Sequence, residues 1–378
     1  MSIIILLLGI AGSINQVNAA NHAIILQYHH VSDNTPPITS ISPELFKWHL
    51  EYLQQQDFTV WPLSRIASHL EQGKALPEKC VAITFDDAYR SIYTTAYPML
   101  KEKNWPFTVF INTAAVGSSS MSLSWDEIRE MNASVAEIGN HTQTHAHLIR
   151  HKKDESPQQW QERVSKEIQT AQQIIDQQLI NDQALPPRLF AYPYGEYSLA
   201  LSQIIKKLGY VAVGQQSGPV TFDTPRELLP RFPMGGTYTT KKQLIEKLNT
   251  YPLPLQNPVV IEPVIEPVIR QSNTANTGSA DIENKDRPLL KLTIKPGHWH
   301  KQLQKQLQCY VSGQGKALIT WKKNTALIQA RKKMGAGRSR YNCTAPISVV
   351  SNGQARHGFY WYSQLWIKRL DNGRWYHE

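Results

Sequence analysis

Residues 81–87 read VAITFDD, an apolar run that ends in two adjacent carboxylates, Asp86 and Asp87. A short apolar run rich in β-branched and aromatic residues is typical of a strand buried on both faces of a parallel sheet. Two like charges held side by side at the end of such a strand are costly unless a metal ion or a proton neutralises them. We therefore take Asp86 and Asp87 as candidate functional residues, not as solvated loop charges.

Six further β-prone runs surround this one and alternate with helical patterns. A helix is predicted after Ser42 and Pro43, a cap and a first-turn proline, and a longer one from the apolar stripe between Trp160 and Leu179. This alternation indicates an α/β fold with a parallel sheet. Because no glycine-rich phosphate loop opens a helix, a distorted (β/α)7-type barrel is favoured over an open doubly wound sheet. The predicted strands span residues 23–29, 81–87, 107–113, 136–141, 189–194, 211–215 and 228–234.

A second polar cluster, HTQTH, directly follows another apolar run and contains His141 and His145. Two histidines four residues apart can bind one ion from a tight loop, and two imidazole nitrogens with one carboxylate suit a catalytic zinc with an open position for water. Parallel strands of a barrel end at the same edge, so the pair of Asp86 and Asp87 is predicted to lie near these histidines. His147 has no partner at a useful spacing and is assigned to the loop near the site.

A third segment, FAYPYG at residues 190–195, runs from a predicted strand into a Pro and Gly turn. Tight turns present backbone N–H groups toward a ligand, and such donors can hold an oxyanion. The three segments, in this order and spacing, resemble the polysaccharide deacetylase family, also called the NodB-homology family or carbohydrate esterase family four, over about residues 23–240. The combination of TFDD with HxxxH is highly specific for that family.

The resemblance implies a metal-dependent N-deacetylase on a distorted barrel. It implies that Asp86 is the catalytic base and that Tyr194 is the residue whose backbone N–H faces the oxyanion. It also implies that Asp87, His141 and His145 bind a divalent cation. Zinc is the favoured cation, and cobalt, nickel and iron are the alternatives.

The chain departs from the family pattern beside the base. Ala88 stands where the family usually has glycine, and Ala191 replaces the arginine that usually pairs with the base. Arg231, in the segment LPRFP, or Arg188 could supply the missing guanidinium, and the sequence does not choose between them.

The family's general acid, a late histidine, is also missing, because no histidine lies between His151 and His298. His29 ends the first predicted strand at the same edge of the barrel and is our candidate for the acid, with His30 as the competing choice. A similar Tyr-His occurs in the subgroup that deacetylates poly-β-1,6-N-acetylglucosamine in biofilm matrices. The alternative is that both histidines are polar residues packed near the site.

The substrate is predicted to be an acetylated polysaccharide, and the Tyr-His and LPRFP segments favour poly-β-1,6-N-acetylglucosamine over chitin, peptidoglycan or xylan. Two other classes stay open. One is an inactive carbohydrate-binding relative. The other is a non-haem Fe(II) oxygenase, which uses the same two-histidine, one-carboxylate set. A second carboxylate, Asp86, beside the ligand has a hydrolytic use but no evident oxidative one.

The chain divides into a deacetylase domain at residues 20–250, a Pro-rich and polar linker at 251–288, and a basic, aromatic-rich β module at 289–378. The module holds 16 Lys and Arg against two acidic residues, whereas the rest holds 24 against 28. We expect it to contact an anionic envelope surface, with no nucleic acid as partner. Its two cysteines, Cys309 and Cys343, could form a disulfide in an oxidising compartment.

The N-terminus predicts export. Residues 3–10 are apolar, and Val17-Asn18-Ala19 is a small-x-small pattern that a signal peptidase could cleave. We therefore predict a signal peptide at residues 1–19 and a secreted or periplasmic protein without a transmembrane span after its removal. Because the basic n-region is missing, a buried first strand is the alternative.

Overall fold

Apolar runs form the strands of the N-terminal unit, in an order close to that predicted. The structure, a computed structural model, describes residues 21–179, 187–265, 286–298, 301–351 and 354–376. The predicted signal peptide therefore lies outside the described residues. The strands of this unit are β1 His22–Tyr28, β2 His30–Val31, β3 Ser40–Ile41, β4 Thr59–Val60, β5 Cys80–Asp86, β6 Phe107–Ile111, β7 Ala136–Asn140, β8 Arg188–Ala191, β9 Tyr210–Val213, β10 Val220–Thr221 and β11 Phe232–Pro233.

The main sheet has nine strands in the order β10-β1-β5-β6-β7-β8-β9, with β4 on β5 and β11 on β1. From β1 to β9 the neighbours are parallel, whereas β10 is antiparallel to β1. One chain segment connects the two edges: Leu229 bridges to Val213 of β9, and Phe232 pairs with Leu26 of β1. The sheet therefore curls into a distorted α/β barrel, which confirms the predicted fold class.

Helices cover this sheet, and the first begins where its capping signal predicts. Ser42 accepts a hydrogen bond from the Leu45 N–H at the start of the first helix, and Ser156 with Gln159 forms a capping box at the start of the longest one. The stripe beginning at Trp160 is buried, so it is core. The helices of this unit are α1 Pro43–Gln55, α2 Leu63–Glu71, α3 Tyr97–Glu102, α4 Trp125–Asn132, α5 Pro157–Gln178, α6 Leu199–Lys207 and α7 Lys241–Leu248.

The last predicted strand, residues 228–234, is much shorter in the structure, where only Phe232–Pro233 is a strand. Two prolines, Pro230 and Pro233, lack the N–H that a ladder needs. The N–H of Arg231 donates to the Gln216 carbonyl, at 2.9 Å, and so does not extend the pairing with β1.

The C-terminal unit is β-rich, as predicted. Its larger sheet has the order β12-β20-β19-β15-β16 with β13 on β20, and its smaller sheet the order β14-β18-β17. A hairpin of two 15-residue strands, β19 and β20, dominates it. The elements are β12 Thr250–Pro252, β13 Val264–Ile265, β14 Leu290–Thr293, α8 Lys301–Gln306, β15 Gln308–Val311, β16 Gly315–Lys316, β17 Leu318–Lys322, β18 Thr325–Gln329, β19 Gly337–Ser351 and β20 Gln354–Lys368.

The described part of the predicted linker packs against this unit. Both β12 and β13 pair in parallel with β20, and Leu253 and Leu255 are buried. A disulfide joins Cys309 and Cys343, which face each other across β15 and β19. The remaining cysteine, Cys80, is buried with a free thiol.

The two units are in direct contact along the β19–β20 hairpin. Trp361 packs edge-on against Phe232 with ring centroids 5.4 Å apart, and the Gln364 amide donates to the Tyr197 hydroxyl at 2.9 Å. A cavity of about 460 Å³ lies at this junction, and none of the predicted site residues lines it. Among the described residues, no helix has the length and apolar character needed to cross a membrane.

Candidate active site

The carboxyl ends of β5 and β7 bring three predicted ligands together. Asp87 Oδ1 lies 3.6 Å from His141 Nε2 and 3.3 Å from His145 Nε2. One donor atom from each of the three residues lies within 4.8 Å of the others. A carboxylate oxygen and two imidazole nitrogens in such a cluster fit a divalent cation such as zinc, with a position left for water or substrate.

Local backbone geometry and hydrogen bonds aim these ligands. His141 Nδ1 lies 2.7 Å from the Ala191 carbonyl oxygen, and a proton donated there leaves the Nε2 lone pair facing the cluster. Asp87, Thr142 and His145 have φ of 67°, 71° and 59°, in the left-handed region that non-glycine residues seldom adopt. Burial, followed by the neighbouring His141, lowers the pKa of His145 to about 4. The His145 imidazole is therefore neutral at pH 7, as a ligand must be.

Asp86 forms a buried ion pair beside the cluster. Arg231 Nη1 and Nη2 lie 2.6 and 2.7 Å from its two carboxylate oxygens, and the Gln27 amide donates to Oδ2 at 2.6 Å. Asp86 is 1% and Arg231 0% exposed. Burial alone would raise the pKa of Asp86, but the Arg231 charge and hydrogen bonds outweigh it and hold that pKa well below its usual range. Asp86 is therefore an ionised carboxylate with a fixed orientation.

The structure resolves the choice between the two arginines that the sequence left open. Arg231 contacts Asp86, and its Nε donates to the Gly214 carbonyl at 2.9 Å, which fixes the guanidinium plane. Arg188 is exposed and pairs instead with Asp176 at 3.2 Å. Arg231 lies within the chain segment that bridges the two sheet edges, and this position brings its side chain to Asp86, 145 residues earlier in the chain.

The predicted oxyanion turn follows β8. Tyr194 adopts φ 59° and ψ 5°, within a 3-10 turn at Pro193–Gly195. Its ring stacks on His147, with centroids 3.8 Å apart and planes 8° apart, and meets the His145 ring edge-on at 4.4 Å. Gly195 is required because its φ is +67° and an added Cβ would lie 2.6 Å from Gln215. The turn is therefore next to the cluster of Asp87, His141 and His145.

The two candidate acids occupy different environments. His29 is partly exposed and close enough to Asp86 for its charge to lower the pKa of that carboxylate. His30 is 5% exposed and stacks on Tyr89 with ring centroids 3.6 Å apart. Burial, followed by the charge of His29, lowers the pKa of His30 to about 4. His30 is therefore neutral at pH 7, which disfavours it as a proton donor.

The sequence shows no partner for His147 at a useful spacing, and the structure gives it one from a distant part of the chain, Glu196. His147 Nδ1 lies 2.8 Å from Glu196 Oε2, although the two are 49 residues apart. Glu196 is buried and accepts a second hydrogen bond from the Tyr376 hydroxyl at 2.6 Å. Burial alone would raise the pKa of Glu196, but the hydrogen bonds from His147 and Tyr376 outweigh it and lower that pKa. The only sequence feature that could have indicated Glu196 as the partner of His147 is its position directly after the turn.

A second missed residue comes from the C-terminal unit. Arg338, on β19, donates from Nη1 to the Tyr194 carbonyl oxygen. Its guanidinium carbon lies 5.8 Å from the centroid of the Tyr194 ring. No local pattern in the sequence indicates this contact, since the two residues are 144 positions apart and lie in different units.

Known proteins resemble this chain in sequence and in fold. Residues 73–213 match the sequence profile described as polysaccharide deacetylase. A Bacillus subtilis protein, YxkH, whose name assigns it provisionally to the polysaccharide deacetylases, is 27% identical over 186 residues, which cover 49% of this chain and 61% of that protein. The poly-beta-1,6-N-acetyl-D-glucosamine N-deacetylase of Escherichia coli is 23% identical over 227 residues, which cover 50% of this chain and 33% of that protein.

A solved structure shows the same fold. The Streptococcus pyogenes deacetylase PplD, in complex with acetate, superposes with a TM-score of 0.53 at 22% identity. The superposition covers 60% of this chain and 98% of that one. The curated relatives extend well beyond the region they share with this chain, which spans 61% and 33% of their lengths. Residues 73–213 of this chain therefore form a domain that resembles the polysaccharide deacetylase family.

Proposed function

We propose that this chain hydrolyses N-acetyl groups of an N-acetylglucosamine-containing polysaccharide and releases acetate. The observation that carries the proposal is the ionised, buried Asp86 directly beside the cluster of Asp87, His141 and His145. The name of the Escherichia coli relative supports poly-β-1,6-N-acetylglucosamine as the substrate. Chitin, peptidoglycan and acetylated xylan are the alternatives.

Asp87, His141 and His145 would hold a divalent cation, zinc in first place and cobalt, nickel or iron as alternatives. When bound, such a cation would acidify the attacking water and polarise the acetyl carbonyl. The family likeness supports this requirement, because the three residues lie within the region, 73–213, that matches the polysaccharide deacetylase profile.

Asp86 would act as the base that removes a proton from the attacking water. An ionised carboxylate has about four acceptor sites. The two bonds from Arg231 and the one from Gln27 use three of them, which leaves one for the water. Arg231 would keep Asp86 ionised and aimed, while the Tyr194 backbone N–H would donate to the oxyanion of the tetrahedral intermediate.

His29 would protonate the departing sugar nitrogen. An amine is a poor leaving group unless it receives a proton, and an acid step is typically worth ~10²- to 10⁴-fold in rate. We therefore expect His29→Gln to lower kcat by about 10²-fold or more with the metal retained. His30→Gln is the matched comparison and should lower kcat far less. A larger loss in His30→Gln, measured as acetate release per molecule of metal-loaded enzyme, would reverse the assignment.

Acetate release from a panel of acetylated glycans, by metal-loaded and chelator-treated full-length protein, tests the function. We expect metal-dependent acetate release, highest with poly-β-1,6-N-acetylglucosamine. Glycan binding without acetate release would indicate an inactive carbohydrate-binding protein. Oxygen consumption without acetate release would indicate the oxygenase class. Activity confined to chitin, peptidoglycan or xylan would reassign the substrate.

We also propose that the protein acts outside the cytoplasm, in secreted or periplasmic form, on a biofilm polysaccharide. Two features support this, the apolar run at residues 3–10 with its cleavage pattern and the disulfide between Cys309 and Cys343. N-terminal sequencing of the mature protein from the host tests the cleavage. Retention of residues 1–19 would contradict it.

The basic C-terminal unit would contact an anionic envelope surface. Several of its lysines and arginines are exposed, among them Arg331, Lys332 and Lys333. We expect the full chain to bind phosphatidylglycerol vesicles at about 50 mM NaCl and to lose most of this binding at about 500 mM, since salt screens exposed charges. Replacing these three residues by glutamine should weaken the binding. Equal binding to neutral vesicles, or binding that salt leaves unchanged, would contradict the proposal.

A further inference from the structure

We infer that the C-terminal unit completes the active site, and that Arg338 is a positioning residue for the oxyanion turn at Tyr194. The inference rests on the proposed function and goes beyond it, because it assigns a role to a unit outside the region shared with other deacetylases. The matched region ends at residue 213, whereas Arg338 lies on β19.

The first contact reaches the turn from the β19–β20 hairpin. Arg338 Nη1 donates to the Tyr194 carbonyl oxygen, and the guanidinium lies toward the face of the same ring. A guanidinium is planar, charged at all relevant pH values and rigid, so it can fix one carbonyl direction better than an ammonium can. The bond therefore restrains ψ of Tyr194.

The hairpin itself is anchored beneath the turn. Arg338 faces Ile367 across the hairpin, and Ile367 is fully buried in the hydrophobic cluster that also contains Phe190 and Tyr192. These two aromatic residues lie on β8 and directly after it, immediately before the turn. The partner strand of the one that carries Arg338 thus shares a core with the strand that leads into Tyr194, and this restrains the distance between the guanidinium and the carbonyl.

A second contact from the same unit holds the other side of the turn. Tyr376 donates to Glu196, the residue after the turn, at 2.6 Å. Glu196 in turn fixes His147, whose ring stacks on that of Tyr194 at 3.8 Å. The turn is therefore held on two sides. Arg338 binds the Tyr194 carbonyl, and the hydrogen-bonded series Tyr376, Glu196 and His147 supports the Tyr194 ring.

Such restraint matters because the turn is in an uncommon conformation. A tyrosine at φ 59° and ψ 5° lies in the left-handed region and persists only where its surroundings enforce it. An oxyanion donor acts only if its N–H lies ~2.7–3.1 Å from the developing charge. Rotation of the turn by a few tens of degrees would move the Tyr194 N–H out of this range, while leaving Asp87, His141 and His145 in place.

Three variants of the full-length protein test the inference: Arg338→Ala, Arg338→Lys and, as control, Arg356→Ala. Arg356 also lies on the hairpin and also reaches the first unit, at 3.4 Å from Glu78. Glu78 precedes β5, at the end of the sheet opposite to Asp86, so this variant removes a contact between units without touching the turn. Each variant is assayed for kcat, KM, bound metal and amide hydrogen exchange of residues 192–197.

We expect Arg338→Ala to lower kcat by about 10- to 100-fold, less than the ~10²- to 10³-fold typical of deleting an oxyanion donor, because the donor is displaced and not removed. KM should change by less than about twofold and bound metal should stay at wild-type level, a split that separates positioning from general destabilisation. Arg338→Lys should recover part of kcat, and Arg356→Ala should keep all of it.

The outcomes also separate this inference from the proposed function. If the wild type releases acetate and Arg338→Ala keeps its kcat, the inference is wrong and the function stands. If the wild type releases no acetate from any glycan, the function is wrong and hydrogen exchange decides the inference. Faster exchange at residues 192–197 in Arg338→Ala, but not in Arg356→Ala, supports it, and equal exchange in both overturns it.

Discussion

Asp86→Asn is expected to reduce acetate release by ~10²- to 10⁴-fold, the usual range for losing a general base, while the divalent cation stays bound. The substitution keeps the shape of the side chain but removes its charge and one oxygen acceptor. An amide nitrogen would then face the Arg231 guanidinium, which now donates at 2.6 Å to Asp86 Oδ1. The variant is assayed for turnover on an acetylated glucosamine oligomer, with metal content measured on the same sample.

Asp87→Ala is the matched control, because it removes the neighbouring carboxylate of the same strand end. Asp87 Oδ1 lies within 3.6 Å of both imidazole nitrogens, so its loss should release the metal as well as the activity. The two variants thus differ in metal content and not in turnover. Substantial activity in purified Asp86→Asn, or full metal loss from it, would contradict the separate roles assigned to Asp86 and Asp87.

The part of the site that the sequence predicts is the part built from strand ends. Asp86, Asp87 and His141 each follow an apolar run, and parallel strands of one sheet end at a common edge. His145 lies four residues after His141, so its proximity is also local. Topology alone therefore predicts that these residues lie together, while their separate roles are implied by the family resemblance.

The part that the sequence does not predict depends on contacts between segments far apart in the chain. Arg231 and Arg188 are equivalent as sequence patterns, and only the bridging segment after β9 distinguishes them. The pairing of His147 with Glu196 depends on how the loop after β7 folds over the turn after β8. Arg338 belongs to another unit altogether. Neither residue spacing nor apolar periodicity contains information on such packing.

The strands, like the site residues, are predicted well where local sequence decides them and poorly where other constraints do. Runs with strong apolar character, such as residues 81–87, form strands within one or two residues of the predicted bounds. The run at 228–234 shares this composition, but its prolines confine its ladder with β1 to Phe232–Pro233. The shorter strand leaves the Arg231 backbone free to turn toward Gln216, and the side chain can then reach Asp86.

Arg231→Gln should be the most destabilising substitution near the site. The arginine is 0% exposed and neutralises a carboxylate that is 1% exposed. Removing one partner of a buried ion pair typically costs ~3–5 kcal/mol, because the remaining charge stays buried without compensation. Urea unfolding at a fixed metal concentration measures the free energy of unfolding. Arg188→Gln is the matched control: its exposed pair with Asp176 should contribute no more than ~1 kcal/mol.

The double variant Asp86→Asn/Arg231→Gln separates stability from catalysis. If the loss in Arg231→Gln comes from the uncompensated carboxylate, replacing Asp86 by a neutral amide should restore much of the free energy of unfolding, with an interaction energy of ~1–3 kcal/mol between the two positions. Acetate release should stay at the level of Asp86→Asn, because the base is absent in both. Additive losses in the double variant would instead show that Arg231 stabilises the barrel through its bond to the Gly214 carbonyl, independently of Asp86.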